Sequence, residues 1–127
     1  MVELAEIMTT EVFTVAPDSP VAEAAAPMAK GRFGSAVVMH GQMLVGIFTE
    51  RDVLRAAASG SDLTRSPVSR WMTRDPETAG PDVDSERAAE IMLGNGFRHL
   101  PIVAGNTLVG IVSLRDLLSL RIRRRPS

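Results

Sequence analysis

The chain has 127 residues, with 14 Lys and Arg against 15 Asp and Glu for a formal net charge of −1, 45% apolar residues and no cysteine. The missing cysteines exclude disulfides, thiolate zinc sites and cysteine nucleophiles, and they leave imidazole chemistry to His40 and His99. The near-neutral charge removes any global case for nucleic acid, and no apolar run approaches the roughly 20 residues that a membrane helix needs.

In chain order, the first stretch, MVELAEIMTTEVF, is acidic where an export signal is basic and has no long apolar segment, so a cytoplasmic location is expected. Residues 12–15 form a short β-branched and aromatic run that predicts a strand. Asp18-Ser19-Pro20 is a helix-start signal ahead of an Ala-rich helix to Lys30, stopped by Gly31, with a kink expected at Pro27. Residues 35–39 and 43–48 read as two apolar strands around the turn His40-Gly41-Gln42, and a closing helix follows over 50–59. The Ser, Gly, Asp and Pro of residues 60–67 mark a linker, after which Trp71 is expected to pack between the halves without a chemical role. The order then repeats, with a strand at 77–79, a helix at 84–93, strands at 99–103 and 108–112, and a helix from Leu114 to about Arg123.

The repetition is in the residues as well. An offset of 64 aligns residues 8–54 with 72–118 without a gap, and 17 of those 47 positions are identical. Unrelated segments of ordinary composition would share roughly three. Met8-Thr9 matches Met72-Thr73, Pro17-Asp18 matches Pro81-Asp82, and Phe33 matches Phe97. Leu44-Val45-Gly46-Ile47 matches Leu108-Val109-Gly110-Ile111, and Arg51-Asp52 matches Arg115-Asp116. The chain is therefore a duplication, with a first domain over 1–59, a linker over 60–67, and a second domain with a basic tail over 68–127. Each β-α-β-β-α copy is small enough that the halves should lean on each other.

The sharpest local signal is Thr49-Glu50-Arg51-Asp52 after one strand and Ser113-Leu114-Arg115-Asp116 after the other. Both have the form S/T-x-x-D at a helix start. One reading is a capping box, in which the hydroxyl caps the third amide and the Asp reaches back. Capping does not explain the arginine, because a cation in the first turn faces the positive end of the helix dipole and costs a few tenths of a kcal/mol. A bound phosphate would turn that cost into an attraction, while the Asp accepts from two ribose hydroxyls. Both readings fit the residues, and the recurrence of Arg in both copies weighs toward the second.

The segments Gly46-Ile47-Phe48-Thr49-Glu50-Arg51-Asp52 and Gly110-Ile111-Val112-Ser113-Leu114-Arg115-Asp116, with Gly96-Phe97-Arg98-His99-Leu100-Pro101-Ile102-Val103, resemble the hallmarks of CBS domains, over about residues 7–120. The resemblance implies an α/β pair of CBS modules related by a pseudo-twofold axis, with two clefts that bind adenosyl compounds such as AMP, ADP, ATP or S-adenosylmethionine. By position, the main cleft would place Asp116 on ribose and Ser113, Arg115, Arg98 and His99 toward phosphate. Its adenine wall would be Thr9, Thr10, Phe13 and Phe33. The second would use Asp52, Thr49, Arg51, Thr73 and Phe97, but Gly34 and Ser35 stand where the main cleft has Arg98 and His99, so phosphate is less well provided for there. Phe33, Phe97 and His99 each also read as ordinary structural residues.

A regulatory module without catalytic or metal-ligating residues is thus expected, as a homodimer governing a separate effector protein. The rival reading is an interaction scaffold with vestigial clefts. Nucleic-acid binding through the tail, Arg121, Arg123, Arg124 and Arg125, is a remote third, since so few aromatics are present to stack bases.

Overall fold

The computed structural model describes residues 1–124, and their side chains as far as residue 120. The elements are β1 (Thr14–Val15), α1 (Val21–Ala29), β2 (Ser35–His40), β3 (Met43–Thr49), α2 (Glu50–Ala58), β4 (Thr73–Arg74), α3 (Ser85–Asn95), β5 (His99–Ala104), β6 (Thr107–Ser113) and α4 (Leu114–Arg124), with 3-10 turns at Leu4–Glu6 and Val68–Arg70. This is an α/β fold of two β-α-β-β-α units.

The first unit spans Val12–Pro76, and the second joins Met1–Glu11 to the chain from Glu77 onward. Each repeat has therefore surrendered its leading segment to the other. In the first unit β4, from the start of the second repeat, pairs antiparallel with β3 and completes a sheet of order β1-β2-β3-β4. In the second unit Thr9 takes the equivalent place beside β6, bonding Ile111 in both directions at 2.9 and 3.0 Å. The bridges Pro20↔Pro67 and Glu3↔Asp84 repeat the exchange at the helix starts.

The recurring Met-Thr and Leu-Val-Gly-Ile segments are the two sides of this exchange. A Cβ on Gly46 would lie 2.5 Å from Met72 Sδ and 3.0 Å from the Thr73 carbonyl oxygen. On Gly110 it would lie 2.6 Å from Met8 Sδ and 3.0 Å from the Thr9 carbonyl oxygen. Only a residue without a side chain lets the leading segment lie this close to the strand.

Local chemistry explains the boundaries. Gly31, at φ 75°, ends α1 in a Schellman motif: its N–H donates to Met28 at 2.9 Å and that of Arg32 donates to Pro27 at 3.1 Å. Pro27 lies within α1, near its end. In the second unit the left-handed glycine is Gly96, one position later in the repeat, and α3 runs on to Asn95. Both hairpins turn on two residues, Gly41-Gln42 and Gly105-Asn106, with a positive φ of 62° at each glycine and none at its successor. That is the II′ pattern, whose twist matches the strands.

The strand expected at 77–79 is reduced to a bridge between Ala79 and Ile102. In the first unit the Val37 amide donates to the Phe13 carbonyl at 2.9 Å. Its counterpart is Pro101, which has no N–H to give, and Ala79 is left to bond with Pro101 and Val103 alone.

Each unit has its own core. Val21, Ala24, Met28, Ala36, Val38, Phe48, Ala56 and Val68 fill the first. Leu4, Ala88, Ala89, Met92, Leu100, Ile102, Val112 and Leu117 fill the second. Leu4 and Val68, both fully buried, come from exchanged segments, and burying each contributes about 1.5–3 kcal/mol. Trp71 packs on the core of the first unit, where its Nε1 donates to Ser66 Oγ at 2.9 Å. In the linker Asp62 accepts from the Thr64 hydroxyl and amide, which holds its carboxyl below the usual range. Among the described residues no helix is long and apolar enough to cross a membrane.

Candidate functional site

The two helix starts that share a sequence pattern differ in geometry. At α2, Thr49 and Asp52 form a reciprocal capping box. Asp52 Oδ2 accepts from the Thr49 amide at 2.9 Å and from Thr49 Oγ1 at 3.2 Å. Its other oxygen, Oδ1, accepts from Arg55 Nη1 at 3.1 Å, and the carboxylate is 8% exposed. The capping reading thus accounts for Thr49 and Asp52, and Arg55 adds an ion pair that the motif does not contain.

At α4 only half of the box forms. The Asp116 amide donates to Ser113 Oγ at 3.1 Å, but the Asp116 carboxylate does not reach back. It is exposed and has no hydrogen bond or ion pair among the described residues. The Leu114 amide donates to the Arg98 carbonyl at 2.8 Å. Of the first three amides of this helix, that of Arg115 has no hydrogen bond among the described residues. Arg98 and Arg115 are exposed, and neither they nor Arg51 pairs with a carboxylate among the described residues. The unfavourable first-turn position of both arginines is therefore not compensated by the protein's own carboxylates.

His99 is half-buried and stands opposite Ser113 in the β5–β6 register. Thr9 and Thr10 are exposed, with Thr9 alongside Ile111. The second unit thus carries Thr9, Thr10, Arg98, His99, Ser113, Arg115 and Asp116 together, and the first unit carries Thr49, Arg51, Asp52 and Thr73. The aromatic residues assigned to each group are borne by the opposite unit. Phe13 and Phe33 are in the first, stacked at 5.2 Å between ring centroids with 25° between planes, and Arg32 lies 5.6 Å from the Phe33 centroid. Phe97 is in the second, half-buried against its core, which agrees with the plain core reading of that residue. In the first unit Gly34 is exposed and Ser35 buried, so neither supplies the cation that Arg98 supplies in the second.

Arg55, which pairs with Asp52, is not part of the sequence motif. Its signal in the chain is an arginine one turn after Asp52 where the second copy has Ser119. Among the described residues no group of three or more His, Asp or Glu is placed to hold a metal ion. The arginine side chains of the tail, Arg121, Arg123, Arg124 and Arg125, lie outside the described residues.

Comparison with known proteins shows the family. The CBS domain family profile matches residues 4–59 and again 68–123. An uncharacterized 17.7 kDa protein of Acidianus ambivalens is 47% identical over 117 residues, covering 91% of this chain and 70% of that protein. The CBS domain-containing protein YhcV of Bacillus subtilis is 39% identical over 118 residues, covering 92% of this chain and 84% of its own. Among solved structures, the CBS domain pair of protein MJ0100, in complex with 5′-methylthioadenosine and S-adenosyl-L-methionine, matches with a TM-score of 0.89 at 24% identity, over 98% of this chain and 99% of that one.

Proposed function

This chain belongs to the CBS domain family, and we propose that it is a regulatory module that senses an adenosyl compound through the second unit. The ligand class is AMP, ADP, ATP or S-adenosylmethionine. The observation that carries this reading is the Asp116 carboxylate at the start of α4, exposed and without a hydrogen bond or ion pair among the described residues, beside the Ser113 hydroxyl.

The roles follow from the chemistry. A carboxylate accepts at two oxygens, so Asp116 can receive a pair of vicinal hydroxyls, the arrangement of a ribose 2′ and 3′ edge. Such charge-assisted bonds contribute about 1.5–3 kcal/mol each. Arg115, Arg98 and His99 supply the cationic side for phosphate or, with S-adenosylmethionine, for a carboxylate. Thr9 lies beside Ile111 of β6 in the same unit. The bound nucleoside compounds in the MJ0100 pair support this ligand class through likeness of fold.

For assembly, we favour a homodimer formed through α2 and α4. Leu54 and Leu118, which occupy the same place in the two repeats, are 70% and 37% exposed. A regulated effector protein completes the role.

The test is calorimetric titration and thermal shift with each of the four compounds. Ligand at a hundredfold over its Kd should add about 2.7 kcal/mol of stability. Asp116→Ala should remove that gain while leaving the unliganded stability within about 1 kcal/mol, because the carboxylate has no hydrogen bond or ion pair among the described residues. A flat response to all four compounds at millimolar concentration, or an Asp116→Ala protein that binds as tightly as the original, would refute this reading.

A further inference from the structure

The two repeats keep the same acid and a hydroxyl residue three positions before it, yet among the described residues only Asp52 has its carboxylate oxygens engaged. Asp52 spends Oδ2 on two donors from Thr49 and Oδ1 on Arg55. A carboxylate offers about four lone-pair sites, so at most one remains, on a group that is 8% exposed. Two vicinal hydroxyls cannot both be accepted unless Arg55 leaves.

Arg55 is held from more than one side. Nη1 also reaches the Trp71 carbonyl oxygen at 3.4 Å, and its guanidinium lies 5.8 Å from the Trp71 ring. Arg70 approaches the same ring at 5.5 Å. The matched positions in the second unit are Ser119 for Arg55 and Ile7 for Trp71, which provide neither a guanidinium nor an aromatic face.

We infer that Arg55 is a specificity-determining latch that occupies Asp52 and closes the first unit to ribose, so that the chain binds one adenosyl ligand and not two. The latch rests on the function proposed above for Asp116, and it adds a cause distinct from the missing Arg98 and His99 equivalents. It also makes Trp71, the only tryptophan in the chain, a reporter of the latch, because its ring and its carbonyl both face the arginine that must move.

The experiment is calorimetric titration of the full chain with AMP, ATP and S-adenosylmethionine, comparing the original protein with Arg55→Ser and Ser119→Arg. The original should bind one equivalent of ligand. Arg55→Ser should bind two, with the second event accompanied by a change in Trp71 emission that the original lacks. Ser119→Arg transplants the latch beside Asp116 and should weaken the original site by about tenfold or more, the equivalent of one charge-assisted hydrogen bond. It also decides the matter should Arg55→Ser fail to fold. Two equivalents in the original protein, one equivalent in a folded Arg55→Ser, or undiminished affinity in a folded Ser119→Arg would each overturn the latch while leaving the ligand reading intact. No binding of any of the three compounds to any of the proteins would overturn the ligand reading and the latch with it.

Discussion

Gly110 and Met8 show how one repeated residue pair fixes the packing of a whole segment. A methyl group added at Gly110 would stand 2.6 Å from Met8 Sδ and 3.0 Å from the Thr9 carbonyl oxygen. Methionine is flexible and yields, but a strand carbonyl does not. Gly110→Ala should therefore destabilise the protein by about 1–3 kcal/mol, the usual range for overpacking. Met8→Ala should recover part of that loss when combined with it, through relief of the sulfur contact, and none of the part due to Thr9. A urea double-mutant cycle measures the coupling, and strictly additive effects would show that the two residues do not compete for this space. The same pair is visible in the sequence as two recurring motifs 64 residues apart from their copies. Its purpose is not visible there, because each motif meets the copy of its partner in the other repeat.

At the scale of elements, the hairpins, the helix starts and the glycine stops follow from local residues and are legible as such. β2, β3, β5 and β6 lie within one or two residues of their expected bounds. The reduction of the strand at 77–79 is not legible, since it depends on a missing donor in another strand, Pro101, and not on its own residues. The homodimer proposed above would form through the helices. Leu54 and Leu118 face outward from α2 and α4, and an apolar side chain left exposed in the same place twice is what a self-association surface through these helices would show. Light scattering should give a dimer for the original protein and a monomer for the paired Leu54→Glu and Leu118→Glu variant. A monomeric original protein, or a charged variant that stays dimeric, would remove the helices from the interface.

For the molecule as a whole, the boundaries of duplication proposed from the sequence, 1–59, 60–67 and 68–127, and the boundaries of compactness differ by the exchanged segments. The continuous stretch 12–76 contains a complete sheet and core, including Val68, Met72 and β4. The stretch 1–59 lacks those residues and begins with a segment, residues 1–11, whose partners lie in the second repeat. Of these two fragments, 12–76 should retain a cooperative thermal transition by circular dichroism and 1–59 should not. The reverse order would mean that the repeat and not the contact unit carries the stability.

The sequence by itself determined the duplication, the β-α-β-β-α order and the family, because repeated residues, period and turn chemistry are local and survive without coordinates. It also located both helix starts that carry Ser or Thr, Arg and Asp. Only the tertiary structure decided that the leading segments are exchanged, and that Asp52 is consumed by Thr49 and Arg55 while the Asp116 carboxylate has no partner among the described residues. The reason is physical: identical motifs have the same donors and acceptors, but which of them are already satisfied depends on neighbours that the motif does not contain.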